Sequence, residues 1–493
     1  MQLDKYKVEK EGLVVDVTIK QPPHQFVPIY EVKIPEISEG TRILIENKLK
    51  PELLSKVDVD MRELLDPKES ERVKEKFKKA AYEVVKENFR NLDEKVVQML
   101  VNYLVINTIG LGELEILSYD DHLEEITINS SAQPIWVYHK RWGWCKTNLK
   151  PKDEETIYNY ASLIARRVGK QINVLNPLLD ATLPDGSRVN ATLAPISAFG
   201  NTLTIRKFSK NPWSVTRLIA NNTTSSELMA LIWLYVQYEL SLIVAGGTGS
   251  GKTSFLNAIS QFIPPNQRVI SIEDTRELTL PKYLQWVPLM TRQPNPEGKG
   301  EVTMLDLLVN SLRMRPDRIL VGEIRRKREA EILFEAMRTG HSVYATLHAD
   351  NAVQTIKRLT TPPIDLPKEM MDAVGGIIVQ LRQRRLKIRR SLEFAEVLES
   401  GDVNVLYRWN SKKDEIEQVG QFQKTIEVIS LYSGKDAKEI ERDLKEKQEV
   451  LEWMVAHEYY DVDEVGYLIA KYYSNKEELM EYVREDKRWE IDI

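Results

Sequence analysis

The sequence predicts an α/β protein: a domain on a mostly parallel, helix-covered sheet, a smaller mixed α+β domain before it, and helical appendages at both ends. Three observations carry this. Between residue 227 and about 395, apolar runs of strand length ("SLIVAG", "RVISIED", "RILVGEI", "SVYATLH") alternate with helical patterns, and that alternation yields a parallel sheet covered by helices. The first run passes through a glycine-rich stretch, "GGTGSGKT", straight into a helix-forming one, "SFLNAISQFI". Along the first 210 residues the hydrophobic period changes from that of strands to that of helices and then to a mixture, which sets this part of the chain apart from the second.

Residues 1–45 are a β-rich segment: "LVVDVTI" and "PIYEVKI" alternate as strands around an irregular connector, "QPPHQFVP". Residues 46–118 are a helical N-terminal subdomain, in which "ESERVKEKFKKAAYEVVKENFR" spaces its apolar residues at helical intervals among Lys and Glu. Residues 119–210 form a small α+β domain: strands "EITIN" and "PIWVYH", a helix "EETIYNYASLIARRVG", then two strands joined by a turn at Asp185-Gly186. Residues 211–226, polar and broken by Pro212, are the expected interdomain linker. The domain over 227–395 opens with "LMALIWLYVQY", too short for a bilayer span of ~20 residues and therefore a core helix. Residues 396–493 start hairpin-like and continue as helices such as "DAKEIERDLKEKQEVLEWMVAH", a C-terminal appendage.

At 493 residues the chain exceeds what one core sustains. Its 42% hydrophobic and 29% charged residues describe a globular protein. A net charge of −5 argues against generic nucleic-acid binding, which leaves a basic footprint. Cys145 is the only cysteine, which excludes an intrachain disulfide and an all-cysteine zinc site. The N-terminus "MQLDKYKVEKEG" is charged where a signal peptide needs an apolar core. The expected location is cytoplasmic, with any membrane role peripheral.

"GGTGSGKT", Gly246, Gly247, Thr248, Gly249, Ser250, Gly251, Lys252 and Thr253, matches the phosphate-loop pattern G-x-x-x-x-G-K-[ST] in full, with strand before and helix after. Glycines let backbone N–H groups turn inward around phosphates, and the helix N-terminus adds a favourable dipole. Lys252 neutralises the β- and γ-phosphates and the Thr253 hydroxyl coordinates Mg²⁺. ATP is expected over GTP, because no guanine-reading Asn-Lys-x-Asp occurs; Asn475-Lys476 is followed by Glu477-Glu478.

Two strands end in carboxylates near such a loop, since ligands gather at the carboxyl ends of strands in open α/β sheets. One ends in Glu273-Asp274, of which one faces the nucleotide. The other, "RILVGEIR", ends in Gly322-Glu323 where many phosphate-cradling enzymes carry an Asp for Mg²⁺. Glu273 is assigned as general base and Glu323 as metal-side carboxylate, reaching Mg²⁺ through water, with the exchanged assignment left open. Gly322 is expected to let the backbone pass close to the phosphates. His341 and His348 bound one strand, on opposite faces and roughly 20 Å or more apart, so they share no metal. Each is a core or turn histidine, or a γ-phosphate sensor or relay across a subunit interface.

Together the phosphate loop, "ISIEDTREL", "LRMRPDRILVGEIR" and "TGHSVYATLHAD", in this order between Gly246 and Asp350, resemble the Walker A, Asp box, atypical Walker B and His box of the traffic ATPases of type II secretion and type IV pilus assembly. "LGELEILSYDDHLEEITIN", "IWVYHKRWGWCKTNL" and "LLDATLPDGSRVNATL" extend the resemblance through most of the chain after about residue 100, closest to the archaeal branch of archaellum and pilus motors. The resemblance implies a RecA-like ATPase domain, a PAS-like N-terminal domain, and a homo-hexamer acting with a polytopic membrane platform protein at the inner face of the cell membrane. It also implies catalytic arginines from the N-terminal domain, matched here by Arg188 in "DGSR" and Arg206 in "TLTIRKF". Such arginines supply roughly 10³-fold or more in related phosphoryl transfers. The four-cysteine zinc insertion of many bacterial members is impossible with Cys145 alone. The Arg-rich signature of retraction motors is absent, which favours filament extension, and residues 1–45 match nothing in the family.

"QLRQRRLKIRRS" (380–391) carries Arg382, Arg384, Arg385, Lys387, Arg389 and Arg390. It is a solvated hairpin edge or a docking tract for anionic lipid or the platform protein. Arg313, Arg315 and Arg318 are assigned to subunit contacts or the nucleotide site. Two other functions fit the same loop: a RecA-like nucleic-acid translocase, opposed by the acidic balance, and a nucleotide-gated scaffold without useful turnover.

Overall fold

The computed structural model describes residues 1–34, 37–57, 70–89, 91–208, 212–294 and 298–491; the parts of the expected segments at 35–36, 58–69, 90, 209–211, 295–297 and 492–493 lie outside the described residues. Two compact units emerge, Met1–Lys210 and Asn211–Ile493, each with its own nine-stranded sheet.

In the first unit the strands are β1 (Gln2–Lys10), β2 (Leu13–Lys20), β3 (Ile29–Lys33), β4 (Leu123–Ile128), β5 (Trp136–His139), β6 (Gly143–Thr147), β7 (Leu178–Thr182), β8 (Arg188–Thr192) and β9 (Thr202–Arg206). Their order is β1-β2-β3-β6-β5-β4-β9-β8-β7, antiparallel except where β3 meets β6. The period-two pattern of β2 turns Leu13, Val15, Val17 and Ile19 inward. Helices Ser70–Asn88, Glu94–Ile109 and Glu154–Arg167 bury Val84, Leu104 and Ile157 in the same core. The three pieces expected over 1–45, 46–118 and 119–210 are therefore one folded body. Ile29 and Tyr30 pair with Lys146 and Thr147, and the Tyr6 and Tyr30 hydroxyls each donate to buried Asp120 at 2.6 Å. Long-range pairing of this kind has no local signature.

In the second unit the strands are β10 (Leu242–Gly246), β11 (Arg268–Glu273), β12 (Gln285–Met290), β13 (Arg318–Val321), β14 (Ser342–Leu347), β15 (Gly376–Gln383), β16 (Ile388–Val397), β17 (Val403–Asn410) and β18 (Glu415–Gln418). The order is β12-β11-β13-β14-β10-β15-β16-β17-β18. From β12 to β15 all neighbours are parallel, and β16 to β18 continue as an antiparallel meander. One strand, β14, separates the loop-bearing β10 from β13, a RecA-like arrangement. The central strands are buried on both faces. Leu242, Val244, Leu320 and Tyr344 face one core, and Ile243, Ala245, Ile319 and Val343 face the other.

Two expected segments are corrected here. The linker over 211–226 contains the helix Val215–Ala220, whose Val215, Thr216 and Leu218 are buried, so most of it belongs to the second unit. The region from 396 onward first completes the sheet to Gln418. Its helices Ala437–Ala456 and Val462–Ser474 then bury Val450, Trp453, Met454 and Leu468 in the core that holds Trp233 and Phe262. They are one layer of the domain and not an appendage. Among the described residues no helix is long and apolar enough to cross a membrane.

Candidate active site

At the end of β10 the chain enters the phosphate loop through Gly246, whose φ is +151°. A Cβ there would lie 2.5 Å from both the Gln380 carbonyl oxygen and Ser250 Oγ, so only glycine fits. Gly249 and Gly251 also take positive φ, and the helix Lys252–Ser260 begins directly behind them. Lys252 Nζ donates to the carbonyls of Gly246 at 3.0 Å and Gly247 at 3.1 Å, which holds its charge within the loop. Burial keeps this ammonium below the ordinary lysine range, with Glu323 and Glu277 opposing. Thr253 is half-buried in the first turn of the helix. Ser250 Oγ is buried with no hydrogen-bond partner, a polar atom in the loop itself that a phosphate oxygen would satisfy.

The two carboxylate-ending strands lie side by side, since β11 pairs with β13. Glu273 is buried, and its Oε1 accepts from the backbone N–H of Glu277 at 2.9 Å and of Leu278 at 3.1 Å. Its Oε2 is buried without a partner. Burial outweighs the two backbone donors and pushes this carboxyl up to about 7. Glu323 is half-buried and accepts from two sides, His348 Nε2 lying 3.1 Å from Oε1 and Arg325 Nε 2.7 Å from Oε2. Lys252 Nζ is 3.5 Å from both ring nitrogens of His348, so it lies along neither lone pair and the contact is mainly electrostatic. Burial and the Lys252 charge hold His348 below the ordinary histidine range, against the pull of Glu323.

Three residues here change the expected assignments. Arg325 went unassigned in the sequence, yet its guanidinium bridges Glu323 on β13 and Asp274, the other half of the Glu-Asp pair. The alternation along β11 was legible and sends Glu273 inward and Asp274 outward; the arginine's reach between strands was not. His341 stands at the opposite end of β14 from His348, roughly 20 Å from it by strand rise, with Thr339 Oγ1 3.4 Å from its Nδ1. It is therefore absent from this loop, so of its expected roles the γ-phosphate sensor of the same subunit is corrected. Gly322 is not required by the chain itself, because a Cβ there would meet Glu273 Cα at an ordinary 3.5 Å.

Arg318, expected at a subunit contact or the nucleotide, is wholly buried at the start of β13, away from the carboxylate end. Its guanidinium donates to Gln267, Ser342, Tyr344 and the Val236 carbonyl, each at 2.7 Å, which marks a structural role. In the first unit Arg188 on β8 and Arg206 on β9 are directly opposite one another, on one face of the sheet. Glu125 on β4 stands opposite Arg206 on its other side and offsets part of their repulsion. The basic tract of 380–391 divides. Arg390 is buried and bound by Asp414, Arg384, Arg385 and Lys387 are exposed in the turn, and Arg389 reaches back to the phosphate loop.

A phosphate loop, two strand-end carboxylates and a histidine joining Glu323 to Lys252 make a site for a nucleoside triphosphate. The family model described as "Type II/IV secretion system protein" matches residues 128–449. An uncharacterised protein of Methanocaldococcus jannaschii is 37% identical over 377 residues, 74% of this chain and 68% of that protein. A second from the same organism is 46% identical over 245 residues, and there the match spans 48% of this chain and only 33% of the relative. The type IV secretion system protein PtlH of Bordetella pertussis is 33% identical over 294 residues, 53% of this chain and 86% of PtlH. Among solved structures, the Legionella pneumophila ATPase DotB is similar at 19% identity and a TM-score of 0.45, covering 72% of this chain and 94% of DotB. The chain belongs to the type II/IV secretion system protein family, whose members are ATPases.

Proposed function

We propose that the chain works as a homo-hexameric motor that hydrolyses ATP to drive assembly of type IV pilus-like filaments, or secretion, through a membrane platform protein. Its place in this reading is cytoplasmic, at the inner face of the membrane. The observation that supports the enzymatic part is the pairing of β11 with β13 in the sheet that carries the phosphate loop, which brings the strand ends bearing Glu273 and Glu323 together in different environments. Family membership and the PtlH likeness support the secretion part.

Lys252 would hold the β- and γ-phosphates, and Thr253 and Glu323 would hold Mg²⁺. When bound, Mg²⁺ neutralises charge on the phosphates. Ser250 Oγ and the partnerless Glu273 Oε2 fit such a ligand. Glu273, poised near neutrality, takes the proton of the attacking water. His348 senses the γ-phosphate through its contacts with Glu323 and Lys252. Arg188 and Arg206 stabilise the departing phosphoryl group in a neighbouring copy.

Phosphate release by the wild type, by Lys252→Ala and by the wild type with added DNA or RNA tests this. Turnover lost in Lys252→Ala and indifferent to nucleic acid supports the motor. Normal kcat in Lys252→Ala refutes the loop, and strong nucleic-acid stimulation favours the translocase. In cells of the source organism, Lys252→Ala in place of the wild type is expected to abolish surface filaments or secretion, scored by electron microscopy and by the culture medium. Both unchanged contradicts the motor role.

A further inference from the structure

The hairpin of β15 and β16 overhangs the phosphate loop. β15 pairs with β10 as far as Gly246↔Gln380 and then runs on with β16 alone. In that overhang Arg382 and Arg389 are directly opposite one another. Arg389 Nε donates to the Gly249 carbonyl at 3.1 Å. Arg382 Nη1 lies 2.7 Å from where a Cβ on Gly249 would be, so the glycine makes room for a guanidinium. Both arginines are half-buried, while Gly249 at the loop's rim is exposed. Among the described residues no carboxylate pairs with Arg389, unlike its neighbour Arg390, which Asp414 holds at 2.6 Å.

The cross-strand register sets two guanidinium groups side by side at the rim of the loop. Two adjacent guanidinium groups favour an anion, and the nearest structure built for one is the loop both arginines touch. A guanidinium also offers a planar fork that matches phosphate oxygens better than a lysine does. We infer that Arg382 and Arg389 are nucleotide-binding residues, carried by the β15–β16 hairpin to the outer rim of the phosphate loop to grip the phosphates of the same subunit's nucleotide. The inference rests on reading the loop as an ATP site. It divides the basic tract by role: Arg382 and Arg389 serve the nucleotide, Arg390 locks the hairpin, and only Arg384, Arg385 and Lys387 remain in the exposed turn for a membrane or partner.

Titration of ATP, ADP and adenosine by calorimetry into the full chain, as wild type, Arg382→Gln/Arg389→Gln and Arg382→Lys/Arg389→Lys, tests it, with thermal melts of each protein. The Gln pair is expected to weaken ATP and ADP about tenfold or more and to leave adenosine unchanged. The Lys pair should recover part of the loss. The melting-point gain of the Gln variant on adding ATP should shrink relative to that of the wild type. Wild-type affinity for ATP and ADP in the Gln variant overturns the inference. A drop in the nucleotide-free melting point with adenosine weakened in proportion to ATP also overturns it, because the arginines would then only brace the loop. Loss of binding to phosphatidylglycerol vesicles with unchanged ATP affinity assigns the pair to lipid and overturns it too. Failure of the wild type to bind ATP, or full binding in Lys252→Ala, instead sinks the ATP-site reading.

Discussion

Glu273 keeps one carboxylate oxygen on two backbone N–H groups and the other buried without a partner, and its proton is held up to about 7 against an ordinary 4.5. Between those values the folded chain keeps a proton that the unfolded chain has released. Stability therefore falls as pH rises through that window, and above it the full penalty of roughly 3 kcal/mol applies. Glu273→Gln removes the titration. Its stability relative to wild type is expected to improve between pH 5 and pH 8 by up to that amount, read from urea midpoints without nucleotide. An equal difference at both pH values contradicts the assignment. The same group makes wild-type kcat/KM rise with pH through about 7, because that ratio reports the free enzyme's base. Glu323 differs in kind: held by Arg325 and His348, it is tied to the loop's charge balance, which suits a metal-side carboxylate.

The helices after residue 437 are an integral layer of the second unit. Trp233, on the helix Ser226–Gln237, is fully buried and stacks on Phe262 at 5.0 Å. Its Nε1 donates to the Tyr473 hydroxyl at 2.8 Å, and Lys447 Nζ sits 5.5 Å over its ring. Trp233→Ala is expected to cost about 3–5 kcal/mol and to speed protease cutting near Gly434, checked by denaturant midpoints and timed digestion. A loss below ~1 kcal/mol would mean the helices are dispensable after all. Elements defined by local pattern were legible: the helix at 226–237, the strands after it, the loop and the β7–β8 hairpin all follow from period and turn residues. Elements defined by what they pair with were not. Nothing in "PIYEVKI" states that Tyr30 meets Thr147, and nothing in the C-terminal helices names Trp233 as their partner. The site followed the same division. Glycines and strand-end acids announced themselves, whereas Arg325, Arg382 and Arg389 became visible only with register and side-chain reach. Strand rise, legible in the sequence, puts only His348 at the carboxyl end and leaves His341 to its expected alternatives away from the loop.

The whole molecule is two units with complementary halves of chemistry: a loop with its carboxylates in Asn211–Ile493, and a directly opposed arginine pair in Met1–Lys210. Glu125 on β4 stands opposite Arg206 and offsets part of that like-charge pairing, and Arg188 faces Arg206 from the other side. In the proposed ring of identical subunits, one copy's arginines would complete the next copy's site. On the proposed function, ATP is hydrolysed at a site shared between copies. Steady-state ATP hydrolysis by mixtures of Lys252→Ala and Arg188→Ala/Arg206→Ala subunits tests it most directly, since each variant lacks a different half. Each alone is expected to be inactive, and an equal mixture should recover activity toward the about one quarter of interfaces that pair two intact halves. A mixture no more active than its separate components at any ratio, beside an active wild type, would contradict the claim.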